Sequence, residues 1–376
     1  MKRRRKKGAE QAVKFAVVGQ GHFAQAAILP AFSTADRCEL GALFSSDDVK
    51  RETLARRYGP LAVLDYDDYD AYLRSGEVDA VYIALPNDMH AEYAIRAARA
   101  GVHVLCEKPL APDAETAERI DAECRRAHVK LMVAYRLHFE GGNLEAVERA
   151  ARGDIGRARF ISSTFALEVA DDNIRTRRAR GGGPLLDLGV YCVNAARYVF
   201  RDEPTRAFAV AATDKSDRRF AEIEEQVAVT LTFPGERLAQ FVCSFGATDH
   251  SALTIVGTEG LLRLAPAYDY ATDIVLEAQI EGKRPTRKVF KKRDQIAAEL
   301  TAFARCVLDD TEPEPNGTEG VADLRVIDAI RRSMASGRAE AVEAVEKQQR
   351  PSRRQAIRRP PHAVPPVVRV HSSGRS

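Results

Sequence analysis

Long apolar runs are missing from this sequence: none approaches the ~20 residues a membrane helix needs, so no membrane span is expected. The six cysteines (38, 106, 124, 192, 243 and 306) form no CxxC pair and no His/Cys cluster. That scatter argues against a disulfide framework or a zinc site, and it suits reduced thiols in a cytoplasmic protein that needs no metal. No apolar stretch follows the basic start, so no secretory signal peptide is expected. Internal repeats are absent as well. Residues 350–376 contain seven arginines and no acid, and residues 2–7 supply six more positive charges. Without those thirteen the body holds 44 basic against 54 acidic residues, although the whole chain carries +3. A nucleic-acid footprint belongs on a folded basic face. Here the basic character lies in the tails, so no folded nucleic-acid-binding surface is expected.

What is present is enough for two domains: 376 residues, 45% of them hydrophobic. From residue 13, short apolar runs (VKFAVVG, ELGALF, LAVL, VDAVYIAL, VHVLC, KLMVAY) alternate with amphipathic stretches. That order predicts βαβ units and a doubly wound parallel sheet over residues 12–136. Past residue 136 the period changes to two. QVAVTLTF puts Val227, Val229, Leu231 and Phe233 on one face, and QFVCSFG does the same with Phe241, Cys243 and Phe245. This predicts an α/β domain over 137–345 with a mainly antiparallel sheet open on one face. The basic segments 1–11 and 346–376, the second rich in Arg, Pro and Ser, are expected to be disordered.

The first apolar run ends in GQGHFA, that is Gly19-x-Gly21-x-x-Ala24 with His22 and Phe23 between. Glycine at 19 permits the tight turn, Gly21 admits a pyrophosphate to the backbone, and small Ala24 lets helix and strand pack closely. Following a strand and opening a helix, the motif predicts dinucleotide binding. At the end of strand two, Ser45, Ser46, Lys50 and Arg51 stand where an NAD site usually carries an acid. Hydroxyls and cations there suit the 2′-phosphate of NADP. Asp47 keeps NAD open as an alternative, and Lys50 and Arg51 would equally suit a solvated helix face. Leu85, Pro86 and Asn87 leave strand four, with His90 just beyond, and Glu107 and Lys108 leave strand five. Ligands of an open parallel sheet bind outside these carboxyl ends.

These motifs, with AYRLHF and GGGPLLDLGVYCVNAARYVF in that order, resemble the glucose–fructose oxidoreductase / inositol dehydrogenase / MocA (Gfo/Idh/MocA) family, across about residues 12–340. The resemblance is nearest to the glucose–fructose oxidoreductase-like sugar dehydrogenase branch. It implies a Rossmann domain, a second domain with a large open sheet, and a homo-oligomer built through that sheet. It also implies an active site made of the EKP lysine, an aspartate and a residue four further on. Here these are Lys108, Asp187 and Tyr191; tyrosine replaces the family's commoner histidine, as in the sugar dehydrogenase branch.

On a helix, Asp187 and Tyr191 share a face, and Leu186, Val190 and Val193 form the stripe that docks it. A free phenol ionises near pH 10, so a neighbouring ammonium from Lys108 is the expected aid to a Tyr191 base, with Asp187 bonding the reacting hydroxyl and orienting Lys108. The expected reaction is oxidation of an aldose C1 hydroxyl to a lactone, or its reverse. Lys108, Tyr135, Arg136, Asp187 and Tyr191 are the substrate-binding candidates. Arg136 is also placed against the cofactor, and His138, Asn194, Arg175, Arg177 and Arg178 lie in or near the same motifs. Two other readings stay open: an inositol or cyclic polyol dehydrogenase using the same Lys and Asp, and a non-catalytic nucleotide-binding regulator.

Overall fold

The computed structural model describes residues 11–347 and 349–370. Six strands, β1 (Val13–Val18), β2 (Cys38–Phe44), β3 (Ala62–Leu64), β4 (Ala80–Ile83), β5 (His103–Cys106) and β6 (Leu131–Val133), form a parallel sheet in the order 3-2-1-4-5-6. Its central strands are apolar on both faces because helices cover both. This is the doubly wound Rossmann arrangement, and its crossover point opens a crevice at the carboxyl ends of β1 and β4.

The second sheet has nine strands, with β7 (Ala158–Ala166) near its middle and parallel to β10 (Arg237–Ser244); its other pairs are antiparallel. The period-two strands behave as the sequence predicts. Val227, Val229, Leu231 and Phe233 of β9 (Gln226–Phe233) are buried, as are Phe241, Cys243 and Phe245. The helices Gly141–Ala151, Val190–Phe200 and Gly317–Ser336 pack on that inner face. The outer face exposes Phe160 of β7, Phe208 and Val210 of β8 (Arg206–Ala212), and Leu238 and Val242 of β10. One element crosses back. The helix Gln295–Leu308 belongs to the second half of the chain, yet its Ile296, Leu300 and Phe303 share a core with Phe15, Val17 and Leu29 of the first domain.

The expected disorder of the C-terminal tail does not hold for its described residues. Arg350 pairs with Glu203 at 2.7 Å, and Arg353 with Glu145 and Glu148 at 3.4 Å each. Ile357 donates its backbone N–H to Phe139 O, and His362 meets Asp294 at 2.6 Å. Composition alone gives this segment no core of its own. Arg350, Arg353 and Arg359 are held by acids on the negatively charged body, which local composition does not reveal. Residues 1–10 and 371–376, the remainder of the two predicted tails, lie outside the described residues.

Candidate active site

The crevice is a cleft of about 730 Å³ between the two domains. On the Rossmann side its walls include Gly21, His22, Phe23 and Ala24, then Leu85, Pro86 and Asn87, then Glu107, Lys108 and Arg136. The phosphate loop is tight. Gly19 has φ +97°, and a Cβ there would lie 2.6 Å from Ala84 O, so this backbone requires glycine. At Gly21 a Cβ would meet nothing within 4 Å, so the loop faces open space where a pyrophosphate would rest. The helix it opens starts as a π-turn, Ala24–Ile28.

From the second domain, Asp187 and Tyr191 enter the same cleft. Asp187 lies on another π-turn, Leu185–Gly189, which runs directly into the helix Val190–Phe200. The predicted docking stripe, Leu186, Val190 and Val193, is buried. The Lys108 ammonium donates to Asp187 Oδ1 at 2.8 Å and to its backbone O at 3.0 Å. Arg175 Nε donates to the other carboxylate oxygen, Oδ2, at 2.8 Å. Burial raises the Asp187 carboxyl, but Lys108 and Arg175 outweigh it and hold the group well below the ordinary carboxylate range. Burial likewise works against the Lys108 ammonium, while Asp187, Tyr191 and Glu107 keep its pKa above the usual lysine value. The ammonium lies 4.9 Å from the Tyr191 ring centroid, and the Arg136 guanidinium lies 5.0 Å from it.

Both oxygens of Asp187 are therefore occupied by cations. It anchors Lys108 as expected, and Arg175 holds its other oxygen. Arg136 is itself fixed by Gln295 Oε1 at 2.5 Å and Tyr268 O at 2.6 Å. The glycines 181–183 serve a contact between two loops. Gly181 O accepts from Asn87 Nδ2 at 2.8 Å, and a Cβ on Gly182 would lie 2.3 Å from Arg175 O. They bring the arginine loop against the β4 loop, which is how Arg175 reaches Asp187.

Other candidates fall outside the cleft walls. Tyr135, expected on the substrate, is only 2% exposed; it stacks on His138 and hydrogen-bonds Asp323. His138 bonds Glu314 and Asn194 at 2.8 Å each, and Asn194 donates to Glu319 and Asp323, so a buried polar network claims all three residues. His90, expected on the cofactor, is fully buried, with its ring nitrogens 3.0 Å from Pro109 O and 2.9 Å from Leu85 O. It ties the β4 and β5 loops together from behind. Ser45, Ser46 and Lys50 stand at the carboxyl end of β2, beyond these walls; Ser45 Oγ accepts from Asp47 N. Arg177 pairs with Glu222, and Arg178 donates its backbone N–H to the same carboxylate. Tyr268 and Tyr270 line the cleft without any motif to signal them. Among the described residues no His/Cys/Asp/Glu group could hold a metal ion, and no helix is long and apolar enough to cross a membrane.

Residues 13–135 match the model of an oxidoreductase family with an NAD-binding Rossmann fold, and residues 143–263 match the GFO/IDH/MocA C-terminal domain. The chain is 32% identical over 327 residues to a D-xylose 1-dehydrogenase [NADP(+)] of Haloarcula marismortui, covering 85% of this chain and 90% of that one. Among solved structures it is similar to an aldose-aldose oxidoreductase from Caulobacter crescentus complexed with glycerol. That match has a TM-score of 0.84 at 34% identity and covers 88% of this chain and all of the other. A 3-ketoreductase from Actinomadura kijaniata, in complex with TDP-benzene and NADP, superimposes with a TM-score of 0.78 at 26% identity, covering 86% of this chain and 98% of the other.

Proposed function

The chain belongs to the Gfo/Idh/MocA oxidoreductase family, whose first domain is an NAD-binding Rossmann fold, and from that premise we propose that it is an NADP(H)-dependent sugar dehydrogenase or reductase. The substrate is an aldose whose C1 hydroxyl is oxidised to the lactone, or the reverse. The observation that carries this reading is the Asp187 carboxylate clamped between Lys108 and Arg175, with the Lys108 ammonium over the Tyr191 ring, in the cleft that opens on Gly21. The NADP(+)-dependent xylose dehydrogenase relative supports the choice of cofactor and substrate class.

The residues present fit a dinucleotide. Gly19 to Ala24 would hold the pyrophosphate, and Leu85, Pro86 and Asn87 would border the nicotinamide. When bound, the nicotinamide accepts or returns the hydride. Asp47 caps the helix Asp48–Tyr58 by accepting from Lys50 N, which takes it from the role of a ribose-binding acid and favours NADP over NAD. Tyr191 takes the hydroxyl proton in oxidation and returns it to the developing alkoxide in reduction. Lys108 remains a fixed ammonium beside the Tyr191 ring. Asp187 and Arg175 set its position.

The test follows near-ultraviolet nicotinamide absorbance with NADP⁺ or NAD⁺ and a panel of aldoses and inositols. Aldose turnover with NADP⁺ is expected to fall by about 10²- to 10⁴-fold in Tyr191→Phe. Turnover with inositols alone would replace the substrate class. Dinucleotide binding without turnover in either direction would favour a nucleotide-binding regulator.

A further inference from the structure

The C-terminal arm does more than fold back. Arg359 O accepts from Asp294 N, its guanidinium pairs with Asp36, and Pro366 O accepts from Arg57 Nη1 at 2.7 Å. The arm then reaches the phosphate loop. Gln25, fully buried on the first turn after that loop, accepts from Val368 N at 2.7 Å and donates to Val368 O at 3.0 Å. The same Gln25 Nε2 donates to the backbone O of Gln20, between Gly19 and Gly21. One residue on, Arg369 lies 3.4 Å from Asp47, in the turn after β2, and Val370 lines the cleft. The arm thus bridges the two loops between which the adenosine ribose of a dinucleotide lies in a Rossmann domain.

The cations at the end of β2 are unequally available for a phosphate. Arg51 is committed: it bonds Ser45 O at 2.5 Å and Asp65 at 2.6 Å, and it also pairs with Asp48. Arg369, by contrast, has a side chain 61% exposed and, among the described residues, makes only a long contact to Asp47, the kind of surface pair that contributes little. A guanidinium in this position has the planar donor fork that suits a phosphate. We propose that the C-terminal arm is a strap over the adenosine half of the dinucleotide site, and that Arg369 supplies the guanidinium that reads the 2′-phosphate of NADP. This rests on the dinucleotide reading above.

The experiment measures binding of NADPH and NADH by nicotinamide fluorescence, with adenosine 2′,5′-bisphosphate as competitor. It uses the full chain, Arg369→Ala, Arg369→Lys and a chain ended at residue 361. Arg369→Ala is expected to weaken NADPH and the bisphosphate by about tenfold or more, with NADH little changed and Arg369→Lys in between. The shortened chain is expected to show the same loss together with faster release of NADPH. Equal weakening of NADPH and NADH in Arg369→Ala would overturn the phosphate role, as would no change. Tighter NADPH binding by the shortened chain would overturn the strap and make the arm a competitor for the site. If the unaltered chain binds neither dinucleotide, the proposed function falls and this inference with it; NADPH binding unaffected by either change sinks the inference alone.

Discussion

At the scale of a single residue, Asp187 ties together two cations of the cleft. Its two oxygens hold Lys108 and Arg175 apart at fixed positions, so its removal acts through them. Asp187→Asn is expected to lower kcat by about 10²-fold, the usual consequence of a small misplacement of a reacting group, while dinucleotide affinity changes little. A fall in affinity with kcat unchanged would contradict that role. The folded-state pKa of Asp187 lies below the unfolded value. Its stabilising contribution is therefore complete above the ordinary carboxylate range, and it is lost as pH falls through the depressed folded value. Acid unfolding monitored by circular dichroism should begin at higher pH in Asp187→Asn than in the unaltered chain.

Packing between elements fixes the frame. The helix Val190–Phe200, which carries Tyr191, is bolted to the helix Gly317–Ser336 through Arg197. That guanidinium is fully buried and bonds Asp323 at 2.5 Å, Glu319 at 2.8 Å and Glu203 at 2.5 Å. Arg197→Met leaves three acids around an absent cation, and breaking such a buried set costs about 3–5 kcal/mol. Urea denaturation should show this as a lowered midpoint, and an unchanged midpoint would refute it. The arm has a titrating latch as well. The Asp294 hydrogen bond raises the His362 pKa despite partial burial, with Lys292 acting against it and Ala26 O facing the second ring nitrogen. A raised folded value means that this docking energy is present below the unfolded histidine pKa and is lost as pH rises through the folded one. Relative to trypsin's own activity on a small ester at each pH, the arm should therefore be cut faster at pH 8 than at pH 6, and His362→Gln should remove that difference.

At the scale of the whole molecule, the outer face of the nine-stranded sheet is the feature without a partner among the described residues. Val210, Ala228, Val242 and Thr164 follow one another across four strands on that face, with Phe208 one row away and Leu238 and Phe160 two rows away. Exposed apolar side chains grouped on one sheet face mark an association surface, and we propose a homo-oligomer built through it. Phe208→Lys with Val242→Lys is expected to lower the sedimenting mass to that of one chain while leaving the fold intact. An unaltered chain that already sediments as a monomer would refute the interface.

Local patterning in the sequence determined both sheets and the phosphate loop, whereas the meeting of Lys108 with Asp187 and Tyr191 was implied by the family resemblance alone. Strand periodicity shows which face is buried, and chain order places the loops at the carboxyl ends of the strands. The i, i+4 spacing of Asp187 and Tyr191 then needs only a helical turn to bring them together. Only the tertiary structure decided which polar side chains face the cleft. Tyr135, His138 and Asn194 turn inward because Glu314, Glu319 and Asp323, more than a hundred residues away, draw them into a buried network. Arg175 turns toward Asp187 because glycines let its loop pack against Asn87. The arm that composition predicts to be disordered is held by acids and a glutamine up to 343 residues distant. A charged or polar side chain takes its role from its partner, and pairing across such separations depends on how elements pack, a property that no local period or composition carries.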